Sequence, residues 1–228
     1  SDSLLIGYYY GGKTLVLDTL VSKKKGKFVL KQDSLLPSGV YITLYQPSNK
    51  YFQFLVNQSD QQFSLKGDYN TESFTPKGSL DNDLFHDYME FITEKSKLRK
   101  ASQEEADNLA AKGKDISKQE MFMKDLDQEV KEKQAEIIQN YPNKITSKIL
   151  KSQKFVDIPE FDGTDDEIAL KRYLHYKKHY FDHIDLGDPD ILYTPFIDER
   201  VNYYLEKLTP QHPDSIFRSI DYLLGQME

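Results

Sequence analysis

The spacing of apolar residues changes once along this chain, and that change constrains the fold more than any other feature of the sequence. Before Ser79, short apolar runs recur about every 8 to 12 residues and are separated by turn-forming residues such as glycine, proline and asparagine. After Ser79 the apolar residues recur about every 3.6 residues, which is the period of a helix. The sequence therefore predicts an α+β chain, with strands first and helices after them.

The strand-rich part covers residues 1–78. Apolar side chains alternate at Val40, Ile42 and Leu44, so they belong to one buried face of a sheet. We predict six or seven antiparallel strands in a small β-sandwich or open barrel. The tyrosines of these strands could present a ligand face, but half-buried strands also select tyrosine for packing, and packing is the favoured interpretation. These tyrosines are Tyr8, Tyr9, Tyr10, Tyr41, Tyr45 and Tyr51.

Residues 79–228 are predicted to form an all-helical domain that begins with a long helical hairpin, over about residues 80–141. The first helix should end near Gly113, because glycine commonly follows a helix C-terminus. The second helix should begin at a capping box formed by Ser117 and Glu120. The two long helices then run antiparallel to each other.

Smaller helices are predicted over residues 143–228. One should begin at a second capping box, formed by Thr164 and Glu167. Another should begin at Pro195, because Thr194 is a suitable cap residue and proline is favoured at the first helical position.

Composition excludes several classes of function. The formal net charge is −7, which opposes attraction to phosphates, so we expect no nucleic-acid partner. Cysteine is absent, which excludes disulfides, thiolate nucleophiles and cysteine-ligated metals within these residues. No apolar run reaches the roughly 20 residues needed for a transmembrane helix. The chain starts without methionine and ends on a helical pattern, so we expect a trimmed product whose native protein continues past Glu228.

The segment from Tyr173 to Tyr204 contains three of the five histidines. His175, His179 and His183 are spaced so that a continuous helix would present them on one face. Two helical turns separate the outer rings by roughly 12 Å, so only adjacent pairs could chelate one ion. His175 and His179 are the metal candidates, and packing at a helix edge is the favoured alternative. No cofactor is indicated.

Carboxylates cluster twice, and either cluster could suggest calcium binding or acid–base catalysis. The first is Asp162, Asp165, Asp166 and Glu167, and the second is Asp182, Asp185, Asp188 and Asp190. The first cluster lacks the spacing of a calcium loop and falls where a helix dipole favours negative charge. The second has the turn residues of a connector, which favours a structural role. No nucleophile motif or phosphate loop occurs, so we predict no catalytic residue. A possible binding surface consists of Tyr173, Tyr176, Tyr180, Asp185, Asp188 and Tyr193.

Two segments carry a resemblance to known families. The first contains Gly26-Lys27-Phe28 after a basic turn, then a turn at Pro37, Gly39 and Tyr41, and a phenylalanine-rich strand. It resembles the β-rich domain of unknown function at the N-terminus of many thioredoxin-like lipoproteins of Gram-negative bacteria. The second, HYFDHIDLGDPDILYTP, resembles the helical domain of unknown function that precedes the thioredoxin-like domain in the same proteins.

The resemblance implies a non-catalytic N-terminal recognition or dimerisation module of a thiol-disulfide oxidoreductase-like protein in the periplasm or anchored at the outer membrane. Its partners would be a downstream thioredoxin-like domain, a protein or peptide substrate, and a second copy in a homodimer. Without cysteine, no redox residue carries over to any position. Asp190 stands where the family tends to carry arginine, which argues against an anion site.

Two alternatives remain open. The chain could be a stand-alone envelope protein that binds a carbohydrate or a peptide through the strand tyrosines or through the segment from Tyr173 to Tyr193. An enzyme that uses the carboxylates or a metal ranks third.

Overall fold

A computed structural model describes residues 3–22, 24, 26–46, 48–68 and 73–227. The strands in these residues are β1 (Ser3–Tyr10), β2 (Lys13–Val21), β3 (Gly39–Gln46), β4 (Lys50–Val56), β5 (Ser64–Asp68) and β6 (Ser73–Lys77). The α-helices are α1 (Leu80–Ala110), α2 (Ser117–Asn140), α3 (Ile145–Ser152), α4 (Asp165–Lys178), α5 (Pro195–Glu206) and α6 (Pro213–Gly225). A short 3-10 helix, Pro189–Ile191, precedes α5. The predicted α+β class is confirmed, with 48% helix and 21% strand.

The strands form two antiparallel groups. Four of them make a sheet in the order β2-β1-β3-β4, and β5 pairs with β6 in a separate hairpin. The β1–β2 turn uses Gly11 and Gly12, both with positive φ angles, which glycine adopts at little cost. Since β2 and β4 are at the two ends of this order, each has one edge that no other strand of the sheet covers.

The two faces of the four-stranded sheet pack against different partners. Leu4, Ile6 and Phe54 point to one face, where Phe63 and Leu65 from the β5 side pack against them. Val40 and Leu55 point to the other face and pack against helix residues, which include Phe85, Ile145, Ile149 and Phe196. The apolar core is therefore continuous from the sheet into the helices.

Helices α1 and α2 form the predicted long hairpin. Gly113 lies in their connection with a φ of 65°. The predicted capping box at Ser117 is wrong, because the N-cap is Ile116 and makes no side-chain hydrogen bond. Instead, Ser117 is the first helical residue, and its amide and hydroxyl donate to Asp115 at 3.1 and 2.6 Å. The side-chain acceptor at this helix start is therefore Asp115, two residues before the serine that we predicted to serve as the cap.

The smaller helices assemble a second core around Tyr180, Phe181, Leu186, Tyr204, Leu208 and Leu223. The predicted capping box at Thr164 and Glu167 is present in both directions, at 3.4 and 2.9 Å. Within the described residues, none of the helices has the length and apolar character that crossing a bilayer requires.

Candidate functional site

The three histidines of the Tyr173 to Tyr204 segment do not share one helix face. Helix α4 ends at Lys178, so His183 lies beyond it in a turn. His175 donates from Nε2 to the Asp157 carbonyl at 2.9 Å, and His179 donates from Nδ1 to the Asp182 carboxylate at 2.6 Å. Their ring centroids are 4.3 Å apart. No group of three or more metal-ligating side chains occurs in the described residues, so the metal hypothesis gains no support.

The first carboxylate cluster lies at the start of a helix. Asp165, Asp166 and Glu167 occupy the first turn of α4, where the helix dipole favours negative charge. Glu167 also accepts from the Thr164 amide as part of the capping box. These contacts account for Asp165, Asp166 and Glu167 without a ligand. Asp162 precedes the helix, and its carbonyl accepts from Lys171 at 2.7 Å.

The second carboxylate cluster joins the helices to one another. Asp185 accepts from the Gly187 amide at 3.0 Å, and Asp188 accepts from the Asp190 amide at the same distance. Lys148 of α3 places its Nζ 2.6 Å from both Asp188 and Asp190. Burial lowers the pKa of Lys148, but the hydrogen bonds that its ammonium donates to the two carboxylates, together with their negative charges, outweigh burial, and the net pKa is raised. The loop is thus a structural connector whose aspartates form an ion pair with Lys148.

Three of the predicted surface tyrosines pack within the helical core. Tyr173 donates to the Leu208 carbonyl at 2.9 Å, and burial raises the pKa of Tyr176. Tyr180 is only 6% exposed, and the Arg200 guanidinium lies 5.1 Å from its ring centroid. Tyr180 therefore offers almost no surface to a ligand.

Tyr193 lies at a different place, where the helical part meets the sheet. Its ring centroid is 5.9 Å from that of Tyr8 and 5.2 Å from that of Tyr10. Its carbonyl accepts from the Val40 amide at 2.8 Å. A side chain at Gly39 would meet Tyr193 at 2.3 Å, so only glycine allows this approach.

An open groove lies between the β4 edge of the sheet and the first half of α1. We call it the α1 groove. It encloses about 600 Å³ between the edge of β4, the β5–β6 hairpin and one face of α1. Its apolar lining is Phe52, Phe54, Leu65, Phe74, Pro76, Phe85 and Met89, and its polar lining is Gln53, Asn82, His86, Glu90, Thr93, Glu94 and Lys97.

One end of the α1 groove is closed by Asn82. Its side-chain amide accepts from the Leu55 N–H at 2.8 Å and donates to the Leu55 carbonyl at 2.7 Å. Asn82 thus satisfies the edge of β4 at that point, as a neighbouring strand would.

The adjacent Asp81 fixes this end of α1 in the protein. It is fully buried, and it accepts from Asn57 at 2.8 Å and from the Thr146 amide at 3.2 Å. Burial raises the pKa of Asp81, while these hydrogen bonds and Lys144 oppose the rise.

Part of the α1 wall of the groove is open to solvent. Met89 is 45% exposed in the wall, and Glu90 and Glu94 are exposed one helical turn apart. An apolar floor with a charged rim can hold an apolar chain and orient a charge beside it. Sequence reasoning missed this site because its residues come from four elements. The available signal was Met89, an apolar residue one helical turn after Phe85 at a position exposed to solvent.

Comparison with known families finds two matches. A family described as Domain of unknown function (DUF4369) matches residues 1–85, and one described as Domain of unknown function (DUF5106) matches residues 94–228. No curated protein and no solved structure matches the chain.

Proposed function

We propose that this chain, which belongs to the DUF5106 family, is the non-catalytic recognition module of a thiol-disulfide oxidoreductase-like cell-envelope protein. Its partner, a protein or peptide, binds in the α1 groove. The redox chemistry belongs to a thioredoxin-like domain elsewhere in the same protein. The location is the periplasm or the outer-membrane surface, as the resemblance of the two segments implies.

The α1 groove is the observation that carries this proposal. Its volume of about 600 Å³ is in the range of pockets that bind ligands in proteins. Its walls are aromatic and aliphatic, and its polar groups lie along the rim on α1. Polypeptide segments with apolar side chains fit such a surface better than sugars do, because a sugar needs hydrogen-bonding groups throughout its site.

A non-catalytic role is supported by the hydrogen bonds of the conspicuous polar groups. His175, His179 and Asp188 each bond to a neighbouring part of the chain. These contacts give each of the three groups a structural role in joining the helices and the connector. The carbohydrate alternative has less support, because Tyr180 and Tyr193 are packed against other aromatic rings.

Dimerisation is a second role for the same module, and one surface favours it. Helix α6 exposes apolar side chains at spacings of three and four residues, on a stripe beside its buried face. They are Phe217, Ile220 and Leu224. Sedimentation of the chain and of a Phe217→Ser, Leu224→Ser variant tests this role. The wild type should sediment as a dimer and the variant as a monomer.

The four methionines provide a test of the groove by nuclear magnetic resonance. Met89 lines the groove, whereas Met121 and Met123 lie on α2 and Met227 follows α6. We would label the methionine methyl groups and titrate the chain with a peptic digest of an unfolded protein, and separately with a pool of oligosaccharides. The proposal expects the Met89 methyl signal to shift with the peptides and the other three to stay.

A titration in which neither pool moves the Met89 signal would overturn the groove as the recognition site. Shifts confined to the oligosaccharide pool would support the stand-alone carbohydrate-binding alternative. A Met89→Ala variant provides a second test, because peptide binding measured by fluorescence anisotropy should be weakened while the fold is retained.

A further inference from the structure

The α1 groove contains the part of the open β4 edge that lies at Gln53. Strand β4 pairs with β3 on one side without a register shift, so its backbone groups alternate between the two edges. Leu55 turns its N–H and C=O outward, since both bond to Asn82. Gln53 and Tyr51, two and four residues earlier, therefore also turn their N–H and C=O outward.

These outward groups have no partner among the residues that the structure describes. The Gln53 side chain is directed elsewhere, and it donates to the Tyr9 hydroxyl at 2.7 Å. Tyr51 is 62% exposed. The edge thus offers a row of unsatisfied backbone donors and acceptors, which a further strand can pair with.

The walls of the groove suit a strand in that position. On one side, Phe52 stacks on Phe74 of the β5–β6 hairpin with ring centroids 3.7 Å apart. On the other side lie Phe85 and Met89 of α1. A strand beside β4 would send alternate side chains toward these two apolar walls.

The charges of the α1 wall select among such strands. Glu90 and Glu94 are exposed there. Glu90 lies 3.7 Å from Nε2 of His86, whereas Glu94 makes no ion pair within the described residues. Lys97 is the lysine of the same wall, so the two carboxylates outnumber it. The whole chain also has a formal charge of −7, which attracts cationic partners.

We propose that the α1 groove binds an extended, basic peptide by β-strand addition, with the peptide backbone pairing with Gln53 and Tyr51 of β4. Apolar side chains of the peptide fill the space between the hairpin and Met89, and a lysine or arginine faces Glu90 and Glu94. Asn82 ends the pairing at Leu55, so the bound strand is short. This inference rests on the proposed recognition function and states its mode and its ligand class.

The test uses a synthetic hexapeptide in which valine or phenylalanine alternates with lysine. Two further versions carry N-methyl groups on alternate amides, one on the even and one on the odd residues. Only one of these sets can donate to β4, so one methylated peptide should bind roughly tenfold or more weaker and the other should bind almost normally. Affinity is measured by anisotropy, and the site by the Met89 methyl signal.

The protein side is tested with two substitutions at one position. Gln53→Pro removes the outward N–H, which an edge strand tolerates, and Gln53→Ala keeps it. Both lose the hydrogen bond to Tyr9, so the alanine variant is the matched control. Peptide binding should be lost in the proline variant and kept in the alanine variant. If the proline variant fails to fold, the methylated peptides decide.

The outcomes separate this inference from the proposed function. Equal affinity for both methylated peptides, with a shifted Met89 signal, overturns strand addition and leaves groove binding intact. If the peptic digest shifts the Met89 methyl signal and the hexapeptide does not, the ligand is not a basic extended peptide. No shift with either overturns both proposals.

Discussion

The segment from Tyr173 to Tyr204 stands out in the sequence but leaves little for a ligand in the structure, whereas the reverse is true of the α1 groove. The segment is the most conspicuous part of the sequence, with its histidines, tyrosines and aspartates. In the structure, its side chains bond to and pack against the protein itself. The groove residues form no motif, yet they leave an apolar surface and a strand edge exposed.

Residue chemistry alone therefore does not locate a binding site in this protein. A polar or aromatic side chain that the fold already satisfies has little left to offer a ligand. Backbone groups of an edge strand, in contrast, stay available whatever side chains they carry. Substitutions in the segment should therefore lower stability, and substitutions in the open part of the groove should lower binding.

Within the segment, the largest effect is expected at Tyr180, which lies in its core. Its ring packs against Phe181 and Tyr204 and is 6% exposed. Tyr180→Ala should lower the free energy of unfolding by about 3 to 5 kcal/mol, as for other large aromatic residues in cores. Urea unfolding followed by circular dichroism measures this loss. A loss below about 1 kcal/mol would contradict a core role for the Tyr180 ring.

Lys148 should show the next largest effect, because it bridges two carboxylates of the segment. Lys148→Met leaves Asp188 and Asp190 close together without a cation, and we expect a loss of about 1 to 3 kcal/mol. The double variant Lys148→Met, Asp190→Asn should recover part of this loss, since one charge is removed. Urea unfolding measures these free energies. If the double variant is no more stable than Lys148→Met, the ion pair does not account for the contribution of Lys148 to stability.

Asp81, beside the closed end of the groove, gives a prediction about pH. Because burial raises its pKa above the ordinary 3.8, the folded state takes up the proton before the unfolded state does. The contribution of this group to stability is full below the unfolded pKa and is lost as pH rises through the folded pKa. Lowering the pH from neutral toward about 4 should therefore raise this contribution, and Asp81→Asn should abolish that rise.

The measurement is the free energy of unfolding at both pH values for the wild type and for Asp81→Asn. The other carboxylates titrate in both proteins, so the difference between them isolates Asp81. Asp125→Asn, at an exposed position of α2, is the control and should follow the wild type. The same pH dependence in Asp81→Asn and in the wild type would contradict the prediction.

The sequence predicted those features that depend on local spacing. The change of period at Ser79 indicated the α+β class, Gly113 marked the connection of the hairpin, and Thr164 with Glu167 marked the start of α4. These features depend on residues within a few positions of one another. The capping box at Ser117 failed for the same kind of reason, because Asp115 competes for the same role.

The candidate site could not be predicted, because it depends on pairings over long distances in sequence. The strand order β2-β1-β3-β4 leaves β4 at an edge, and within the described part of the chain Asn82 pairs with that edge at Leu55. The outward direction of Gln53 follows from this register and not from its residue type. A sequence states which groups are present, whereas the tertiary pairing decides which of them remain open.

The smallest effect on stability is expected at Met89, and its neighbour gives the contrast. Met89 is 45% exposed in the groove wall, while Tyr88 is buried against Ile137 and Leu150 and accepts a hydrogen bond from Gln134 at 2.8 Å. Met89→Ala should change the free energy of unfolding by about 0.5 kcal/mol or less, because the side chain that it shortens is exposed. The same substitution should weaken peptide binding, because Met89 lines the groove. Tyr88→Ala should cost about 3 to 5 kcal/mol. Urea unfolding and peptide anisotropy on the two variants separate these effects, since a Met89→Ala protein that binds peptide normally would show that its exposed side chain contributes nothing to the site.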